Sequence, residues 1–227
     1  MGKNIIITGT SRGIGYQMVG LLADTEHQVI ALSRDAVPVS GLGLTNCHCL
    51  PCDITQKGDL IKVADYIGEH WGRVDILIHN SGNLVNKPFS QLKAEEILQC
   101  YQVNVFGVMH LTQQLLPFMG KKGHVVGISS MGGVQGSAKF PGLTAYSSSK
   151  GALNTLIEVL AEEYKDSGPS FNGLALGAVQ TEMLEEAFPG YKAPISAKEM
   201  ASFVLDFALN GNRYYNGKIL PVSSTTP

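Results

Sequence analysis

Several features that would assign this chain to a specialised class of protein are scarce or absent. Charged residues make up only 16% of the 227 residues, and the 17 basic and 19 acidic side chains nearly balance. A formal charge of -2 gives no long-range attraction to phosphate backbones or anionic lipids, which argues against nucleic-acid and membrane-surface partners. No apolar run approaches the roughly 18 residues of a membrane span, and the early Ile5-Ile6-Ile7 run leaves no room for a signal peptide. We therefore expect a cytoplasmic protein.

Cysteine is also scarce, with four residues, although three of them crowd together with a histidine in Cys47-His48-Cys49-Leu50-Pro51-Cys52. Zinc needs four ligands in a tetrahedron, and a strand directs His48 to the face opposite Cys47 and Cys49. A low-pKa redox thiol is disfavoured because Asp53 follows the run directly. We interpret these cysteines as buried strand residues and predict no metal site.

The chain is rich in apolar residues, at 44%, and in glycine, with 26 residues. The apolar content excludes intrinsic disorder, and the glycines lack the three-residue period of collagen. What remains is a well-buried domain in which the backbone often turns sharply or approaches a neighbour closely.

Short apolar runs alternate with segments of helical period, the pattern of an α/β domain with a mainly parallel sheet and helices on both faces. The predicted strands are 3–8, 28–33, 47–50, 74–79, 124–128, 171–176 and 218–222. The predicted helices are 13–24, 57–71, 94–119, 146–164, 181–188 and 197–209, the last starting at a capping box of Ser196 and Glu199. Segment 35–46 contains Pro38, Gly41 and Gly43 and is expected to be a loop. Since no linker or repeat interrupts the pattern, residues 1–227 are expected to form one domain.

The first predicted strand runs into a glycine-rich loop, Thr8-Gly9-Thr10-Ser11-Arg12-Gly13-Ile14-Gly15, and then into a helix. Three glycines allow a tight turn and expose N–H groups at a helix N-terminus, where a pyrophosphate is held. A glycine-rich turn without a ligand is the alternative, but the loop's place at the first strand-to-helix turn favours the ligand. The candidate contacts are Gly9, Ser11, Arg12, Gly13, Ile14 and Gly15.

The end of the second strand bears on the choice of cofactor. A carboxylate there binds the ribose 2′-hydroxyl of NAD, whereas basic groups bind the 2′-phosphate of NADP. Here the strand ends in Ser33-Arg34, with Arg12 available from the glycine loop. These three residues favour NADP(H). NAD(H) stays open as the alternative, because Asp35 is adjacent and both arginines fit solvated surface positions.

Tyr146 and Lys150 are four residues apart at the start of a predicted helix and therefore share one face. A nearby ammonium is expected to lower the pKa of the tyrosine from its usual value near 10, which would make Tyr146 a general acid and base. The same spacing recurs in Tyr214 and Lys218, but that pair straddles an Asn-Gly turn. Only the first pair follows a strand that ends in serine, at Ser130.

Taken in order, these motifs resemble those of the short-chain dehydrogenase/reductase family. They are the glycine loop, Asp53, His79-Asn80-Ser81-Gly82, Asn104-Val105-Phe106-Gly107, Ser129-Ser130 and Tyr146-x3-Lys150. The resemblance implies a seven-stranded, doubly wound (Rossmann-type) sheet and a nicotinamide cofactor. It also implies the catalytic residues: Ser130 would polarise a substrate carbonyl, Tyr146 would exchange the proton, Lys150 would also bind the nicotinamide ribose, and Asn104 would anchor a relay water.

The same resemblance implies further contacts with the cofactor. Asn80 would brace the central strands and Asp53 would contact the adenine. Gly82 and Gly177 would lie at the cofactor rim, and Thr181 would contact the carboxamide or a phosphate. Two departures from the family pattern concern the substrate side. The spacing from Ser130 to Tyr146 is longer than usual, which implies an insertion around 136–140, and Leu176-Gly177 replaces the usual Pro-Gly.

We therefore expect an NADP-dependent enzyme that moves a hydride between the nicotinamide and a small-molecule carbonyl or secondary alcohol. Segment 181–195 is expected to form a lid over the substrate, with a plain surface loop as the alternative. The helices at 94–119 and 146–164 carry small residues suited to close packing, and by the family likeness we expect a homodimer or homotetramer. The rival hypothesis is a sensor or signalling protein that binds NAD(P) on the same fold without turnover.

Overall fold

The computed structural model describes residues 2–223, and its central element is a parallel β-sheet. The strands are β1 (Asn4–Thr8), β2 (Gln28–Ser33), β3 (Cys47–Pro51), β4 (Ile76–His79), β5 (His124–Ser130), β6 (Ser170–Leu176), β7 (Val179–Gln180), β8 (Ile195–Ser196) and β9 (Lys218–Val222). The α-helices are α1 (Gly13–Leu21), α2 (Val37–Ser40), α3 (Lys57–His70), α4 (Ala94–Tyr101), α5 (Gly107–Leu115), α6 (Thr144–Glu163), α7 (Glu182–Ala187) and α8 (Ala197–Asn210).

Seven strands pair in the order β3-β2-β1-β4-β5-β6-β9, and every pairing is parallel. The chain therefore winds outward from β1 in one direction and from β4 in the other, which makes the sheet doubly wound. The carboxyl ends of all seven strands lie at one edge, and the order reverses between β1 and β4. Open α/β sheets bind their ligands in the crevice at such a point.

Helices cover both faces of the sheet, and alternate side chains of one strand enter different cores. Ile5 and Ile7 pack with residues of α1 and α8, whereas Ile6 packs on the opposite face with residues of α3, α5 and α6. This explains the continuous apolar sequences of the inner strands, which are buried from two sides, whereas the edge strands β3 and β9 are only partly buried. Over residues 2–223, no helix is long and apolar enough to cross a membrane.

The seven strands of the sheet confirm the seven predicted from the sequence, and the capping box at Ser196 is present at the start of α8. The prediction of one helix over 94–119 is wrong, because a π-helical turn, Gln102–Phe106, separates α4 from α5 and a 3-10 turn follows at Leu116–Phe118. One extra residue in a helical turn leaves the apolar period almost unchanged, so the pattern does not reveal it.

The prediction of a loop over 35–46 is wrong at its start, where α2 forms a short helix. Pro38 lies in the first turn of this helix, where a backbone N–H has no helical partner in any case. Proline is therefore compatible with this single turn. The glycines that follow limit the helix to four residues.

Candidate active site

The glycine loop joins β1 to α1 in a form that side chains would obstruct. Gly9 and Gly13 have φ angles of 71° and 59°, in the left-handed region that glycine adopts most readily. A Cβ atom on Gly15 would lie 2.2 Å from the carbonyl oxygen of Gly9, so only glycine fits at this close approach. The loop therefore packs closely against the sheet and leaves the backbone N–H groups at the N-terminus of α1 uncovered by side chains of its own, as a pyrophosphate site requires.

Asn80, directly after β4, fixes this loop to the centre of the sheet. Its side-chain Nδ2 donates hydrogen bonds to the carbonyl oxygens of Thr8 and Gly9, each at 3.0 Å. The Thr8 hydroxyl in turn accepts from the backbone N–H groups of Asn80 and Ser81 at 3.0 and 2.9 Å. These bonds tie β1 to β4 at the reversal point of the sheet.

One cavity of about 690 Å³ runs along the carboxyl edge of the sheet, from the glycine loop to Tyr146. It collects almost every site residue predicted from the sequence: Gly9, Ser11, Arg12, Gly13, Ile14, Ser33, Arg34, Asp53, Asn80, Gly82, Ser130, Tyr146, Lys150, Gly177 and Thr181. Gly15 and Asn104 are not part of its lining. Gly15 lies beneath Gly9, and Asn104 is completely buried behind the cavity wall.

At the end of the cavity near β2, the three residues predicted to select NADP all line the wall, but two are engaged with protein groups. The Ser33 hydroxyl donates to the carbonyl oxygen of Asp35 at 2.6 Å. The Arg12 guanidinium forms a two-pronged ion pair with the Glu186 carboxylate on α7, with Nη2 3.0 Å from Oε2. Arg34 and Asp35 also line the cavity here. Sequence reasoning missed Glu186 as a partner of Arg12, because 174 positions separate them.

Asp53 follows β3 and lines the same end of the cavity. Its Oδ1 accepts hydrogen bonds from the backbone N–H and the hydroxyl of Thr55, at 2.9 and 2.8 Å. These bonds fix the carboxylate in a local turn beside the place where the sequence predicts the adenine.

Gly177 and Thr181 follow β6 and border the opposite wall. A Cβ atom on Gly177 would lie 2.4 Å from the Ser223 hydroxyl, so this position is closed to larger residues. Thr181 caps α7, accepting the Leu184 N–H at 3.2 Å, and its methyl group lies 3.5 Å from the place of a Cβ on Gly13. Thr181 therefore faces the glycine loop across the cavity.

Ser130, Tyr146 and Lys150 meet at the other end of the cavity. Ser130 ends β5, and its hydroxyl lies beside that of Tyr146 and accepts the Gly132 N–H at 3.2 Å. Lys150 is 3% exposed; its Nζ lies 5.8 Å from the centre of the Tyr146 ring and donates to the carbonyl oxygen of Ile128 at 2.7 Å. Two hydroxyl groups and one amine thus share one pocket.

The protonation of these groups differs from the sequence prediction. Burial raises the pKa of Tyr146 to about 12, although the neighbouring Ser130 hydroxyl acts in the opposite direction. Burial also lowers the pKa of Lys150 to about 8. The expected lowering of the Tyr146 pKa by Lys150 is therefore wrong for this structure, because burial is the largest influence on that pKa and raises it.

Asn104 lies at the centre of the π-helical turn, behind this pocket. Its Oδ1 accepts the Asn83 N–H at 2.8 Å, and its Nδ2 donates to the Asn83 carbonyl oxygen and the Ser149 hydroxyl, each at 2.9 Å. Ser149 donates to the backbone carbonyl of Tyr146 at 2.7 Å, and the Cys100 thiol donates to the Asn83 carbonyl at 3.3 Å. The Asn104 side chain is therefore committed to the protein, and it joins the chain after β4 to the start of α6.

The sequence did not identify Ser149 and Asn83 as part of the site, nor the buried hydrogen-bonded pair of Ser129 and Asn154. Ser129 donates to Asn154 Oδ1 at 2.6 Å, and Asn154 donates to the Gly133 carbonyl oxygen at 3.1 Å. Ser149 and Asn154 follow Tyr146 and Lys150 by three and four residues, so helical spacing alone places them on the catalytic face. Their hydrogen-bond partners, Asn104 and Ser129, come from distant parts of the chain, so no local sequence pattern predicts these bonds.

The cysteine-rich run forms the edge strand β3. Burial raises the pKa of Cys47 and of Cys52 to about 12, so neither thiol ionises at neutral pH. His48 stacks on the ring of Tyr66, with 4.3 Å between the ring centres. Within residues 2–223, no group of three or more His, Cys, Asp and Glu side chains is arranged to hold a metal ion.

The second Tyr-x3-Lys pair lies away from this pocket. Tyr214 is 79% exposed, and Lys218 begins the edge strand β9. Neither residue lines the cavity. Helical context therefore separates the pair that belongs to the site from the pair that does not.

Together, the doubly wound sheet, the braced glycine loop and the hydroxyl–amine pocket on one cavity define a Rossmann-type oxidoreductase domain. A model of the short chain dehydrogenase family matches residues 3–192, and the chain belongs to that family. The family acts on small-molecule substrates and binds NAD(P).

Known proteins similar to this chain agree with that assignment. The 7alpha-hydroxysteroid dehydrogenase of Escherichia coli is 33% identical over 191 residues, covering 81% of this chain and 74% of that protein. The structure of Pseudomonas aeruginosa RhlG with NADP superposes with a TM-score of 0.85 at 26% identity, covering 98% of this chain and 95% of that one. A 3-ketoacyl-(acyl-carrier-protein) reductase from Brucella melitensis, complexed with NADH, has the same TM-score at 23% identity, covering 98% and 97%, and shows the likeness of fold.

Proposed function

We propose that this protein is an NADP-dependent oxidoreductase that interconverts a carbonyl compound and a secondary alcohol, with Tyr146 as general acid and base. The observation that carries the proposal is that Ser130, Tyr146 and buried Lys150 share one cavity with the glycine loop, with the Lys150 Nζ 5.8 Å from the centre of the Tyr146 ring. A protein that only binds the nucleotide has no need of this pocket.

The residues around the cavity fit a nicotinamide dinucleotide. The open N-terminus of α1 at Gly13 suits the pyrophosphate, Asp53 lies where the adenine is expected, and Lys150 is available to the nicotinamide ribose. Arg12 and Arg34 favour the 2′-phosphate, and no carboxylate occupies the end of β2 at Ser33. When bound, the nicotinamide supplies or accepts the hydride.

The chain's own groups handle the proton and the substrate oxygen. Ser130 and Tyr146 both present hydroxyl donors, so together they hold and polarise a carbonyl oxygen. Tyr146 is protonated at neutral pH, because its pKa is about 12, and it therefore holds the proton for that oxygen; at so high a pKa, the transfer depends on stabilisation of the phenolate that forms. Lys150, in its charged form, stabilises the phenolate that develops. Asn104 keeps the start of α6 in position through Ser149, which donates to the backbone carbonyl of Tyr146.

We also propose that segment 181–195 is a lid over the substrate. It contains α7, and two of its aromatic side chains, Phe188 and Tyr191, line the cavity. The β7–β8 pairing joins its two ends, and Asn86 Nδ2 donates to the Ala187 carbonyl oxygen in its middle, at 2.8 Å. Opening this segment would expose the pocket at Tyr146.

The test is the oxidation of NADPH and NADH, followed by absorbance, with a panel of ketones and aldehydes. We expect turnover with at least one carbonyl compound and a higher kcat/KM for NADPH than for NADH. Equal or higher kcat/KM with NADH would overturn the NADP preference. Tight NADPH binding with no oxidation by any carbonyl compound would favour the rival nucleotide sensor.

For assembly, we propose a homodimer or homotetramer that uses the surface of α4, the π-helical turn and α5. Three large apolar side chains there are exposed: Leu98 by 52%, Phe106 by 42% and Met109 by 36%. Light scattering should show that F106E reduces the oligomer, whereas V37E on α2 leaves it unchanged. Monomeric wild-type protein at micromolar concentration would contradict the proposal.

A further inference from the structure

The charged side chains that line the cavity are unevenly distributed. Apart from Lys150, they lie at the end formed by the glycine loop, β2, β3 and the start of α7, and they are Arg12, Arg34, Asp35, Asp53 and Glu182. Glu182 belongs there because its Oε2 lies 3.6 Å from the place of a Cβ on Gly13. The charges of the cavity thus surround the dinucleotide end.

The end beyond Tyr146 is mainly apolar. Its walls come from the segment after β4, the segment between Ser130 and Tyr146, and the proposed lid, and they present Leu84, Met131, Phe140, Leu143, Phe188 and Tyr191, with the amide of Asn83 as a polar neighbour. Within residues 2–223, Lys150 is the single charged group lining this end, and it is buried with its Nζ on the Ile128 carbonyl oxygen. An anionic substrate would lose its solvation here without gaining a free cation.

Two aromatic side chains at this end are exposed without an apparent structural reason. Phe140 is 54% exposed and Tyr191 is 49% exposed, yet both line the cavity. Phe140 belongs to the long segment before α6, which the backbone fixes in place: the Gly142 carbonyl oxygen accepts the Lys87 N–H at 2.9 Å. The exposed aromatic surface of Phe140 on this fixed wall, together with Tyr191 on the proposed lid, is a contact surface for an apolar ligand.

We propose that the substrate is an uncharged carbonyl compound, or the matching secondary alcohol, with a bulky hydrocarbon body that contacts Phe140 and Tyr191. The proposal rests on the proposed function, because it takes the reacting carbonyl to lie at Ser130 and Tyr146. In reduction, the carbonyl carbon receives a hydride with its electron pair from NADPH, and the oxygen receives the proton of Tyr146. The products are the secondary alcohol and NADP⁺.

The test uses three ketones that share one ring: 4-tert-butylcyclohexanone, 4-hydroxycyclohexanone and 4-oxocyclohexanecarboxylate. We expect kcat/KM with NADPH to be at least about tenfold higher for the tert-butyl ketone than for the other two, since it alone adds a large apolar contact. A carboxylate or hydroxyl compound that reacts as well as the apolar ketone would overturn the proposal.

Calorimetry on the NADP-loaded protein measures the binding of the same ketones without turnover. Tighter binding of the tert-butyl ketone with no reduction of any ketone would refute the proposed function and support the apolar site. Reduction of ketones without a binding preference for the apolar one would refute the apolar site alone.

Variants of Phe140 locate the contact. We expect F140A to lower kcat/KM for the tert-butyl ketone about tenfold with an unchanged Kd for NADPH, and F140K to shift the preference toward the carboxylate. The matched controls are F89A and F89K, because Phe89 is 71% exposed and lies outside the cavity lining. Identical effects at the two positions would overturn the role of Phe140.

Discussion

At the scale of single residues, the chemistry of the pocket depends on a competition between burial and charge. The Tyr146–Lys150 spacing correctly predicts that the two side chains meet, because residues four apart share a helix face. It does not predict their pKa values. Those depend on how deeply the folded chain buries the two groups, and this depth follows only from the folded structure.

The low pKa of Lys150 has a consequence for the pH dependence of reduction. Only the ammonium form stabilises a phenolate at Tyr146, and this form is lost as pH rises through about 8. We therefore expect kcat/KM for reduction to be constant below pH 7 and to fall as pH rises through about 8. Tyr146 contributes no loss in this range, because its pKa is about 12.

The matched variant is K150R, whose guanidinium stays charged throughout this range. Its kcat/KM is expected to be lower overall but to lack the fall near pH 8. The measurement is a pH profile of NADPH oxidation for both proteins. An unchanged alkaline limb in K150R would show that another group causes it.

At the scale of elements, the Arg12–Glu186 ion pair joins the glycine loop to α7. The pair is open to solvent, with Arg12 and Glu186 side chains 48% and 62% exposed, so its contribution to stability is small. The exposed Arg12 guanidinium is nevertheless accessible to a second anion. On the proposed function, a 2′-phosphate would bind it together with Glu186 or in place of Glu186. On the same proposal, Glu186 would connect segment 181–195 to the choice of cofactor.

Removing the carboxylate tests this connection. In E186Q, Arg12 loses its ion-pair partner and keeps only the weaker attraction of Glu182 on α7, so we expect the Kd for NADPH to fall about two- to fivefold while that for NADH is unchanged. E185Q is the control on the same helix, because Glu185 instead accepts the Gly190 N–H at 3.0 Å. Equal changes for both nucleotides would mean that Arg12 does not reach the 2′-phosphate.

The elements also show where sequence reasoning succeeds and where it stops. The strands are predictable because each is a continuous apolar run, and α8 is predictable because Ser196 and Glu199 cap it locally. The π-helical turn around Asn104 escapes prediction, since its stabilising bonds go to Asn83 and Ser149, distant in the chain. The path of the segment that carries Phe140 likewise depends on its bond to Lys87.

At the scale of the whole molecule, two buried histidines link the stability of the sheet to pH. His79 ends β4, and burial lowers its pKa to about 3. His124 begins β5, and burial lowers its pKa to about 4. The His124 Nδ1 donates to the Ala208 carbonyl oxygen at 2.9 Å and its Nε2 accepts from Asn172 Nδ2 at 3.0 Å, so this ring is bonded as the neutral form.

Because the unfolded chain binds protons at these histidines near pH 6.5 and the folded chain does not, stability is lost as pH falls below 6.5. At pH 5, each histidine is expected to lower the free energy of unfolding by about 2 kcal/mol relative to pH 7. Guanidinium unfolding at pH 5 and at pH 7 measures the combined loss of free energy of unfolding from both histidines. H124Q should reduce this difference between the two pH values by about half. The control variant H110Q, at an exposed position, should leave the difference in free energy of unfolding between the two pH values unchanged. An unchanged difference in H124Q would refute this account.

The central claim is that Tyr146 supplies the proton for carbonyl reduction, and the most direct measurement is kcat/KM of Y146F with NADPH and a carbonyl substrate. We predict a loss of at least about 100-fold with NADPH binding retained, because the pocket keeps its shape and loses its proton donor. Y214F, in the second Tyr-x3-Lys pair, is predicted to keep wild-type activity. Full turnover by Y146F would contradict the account.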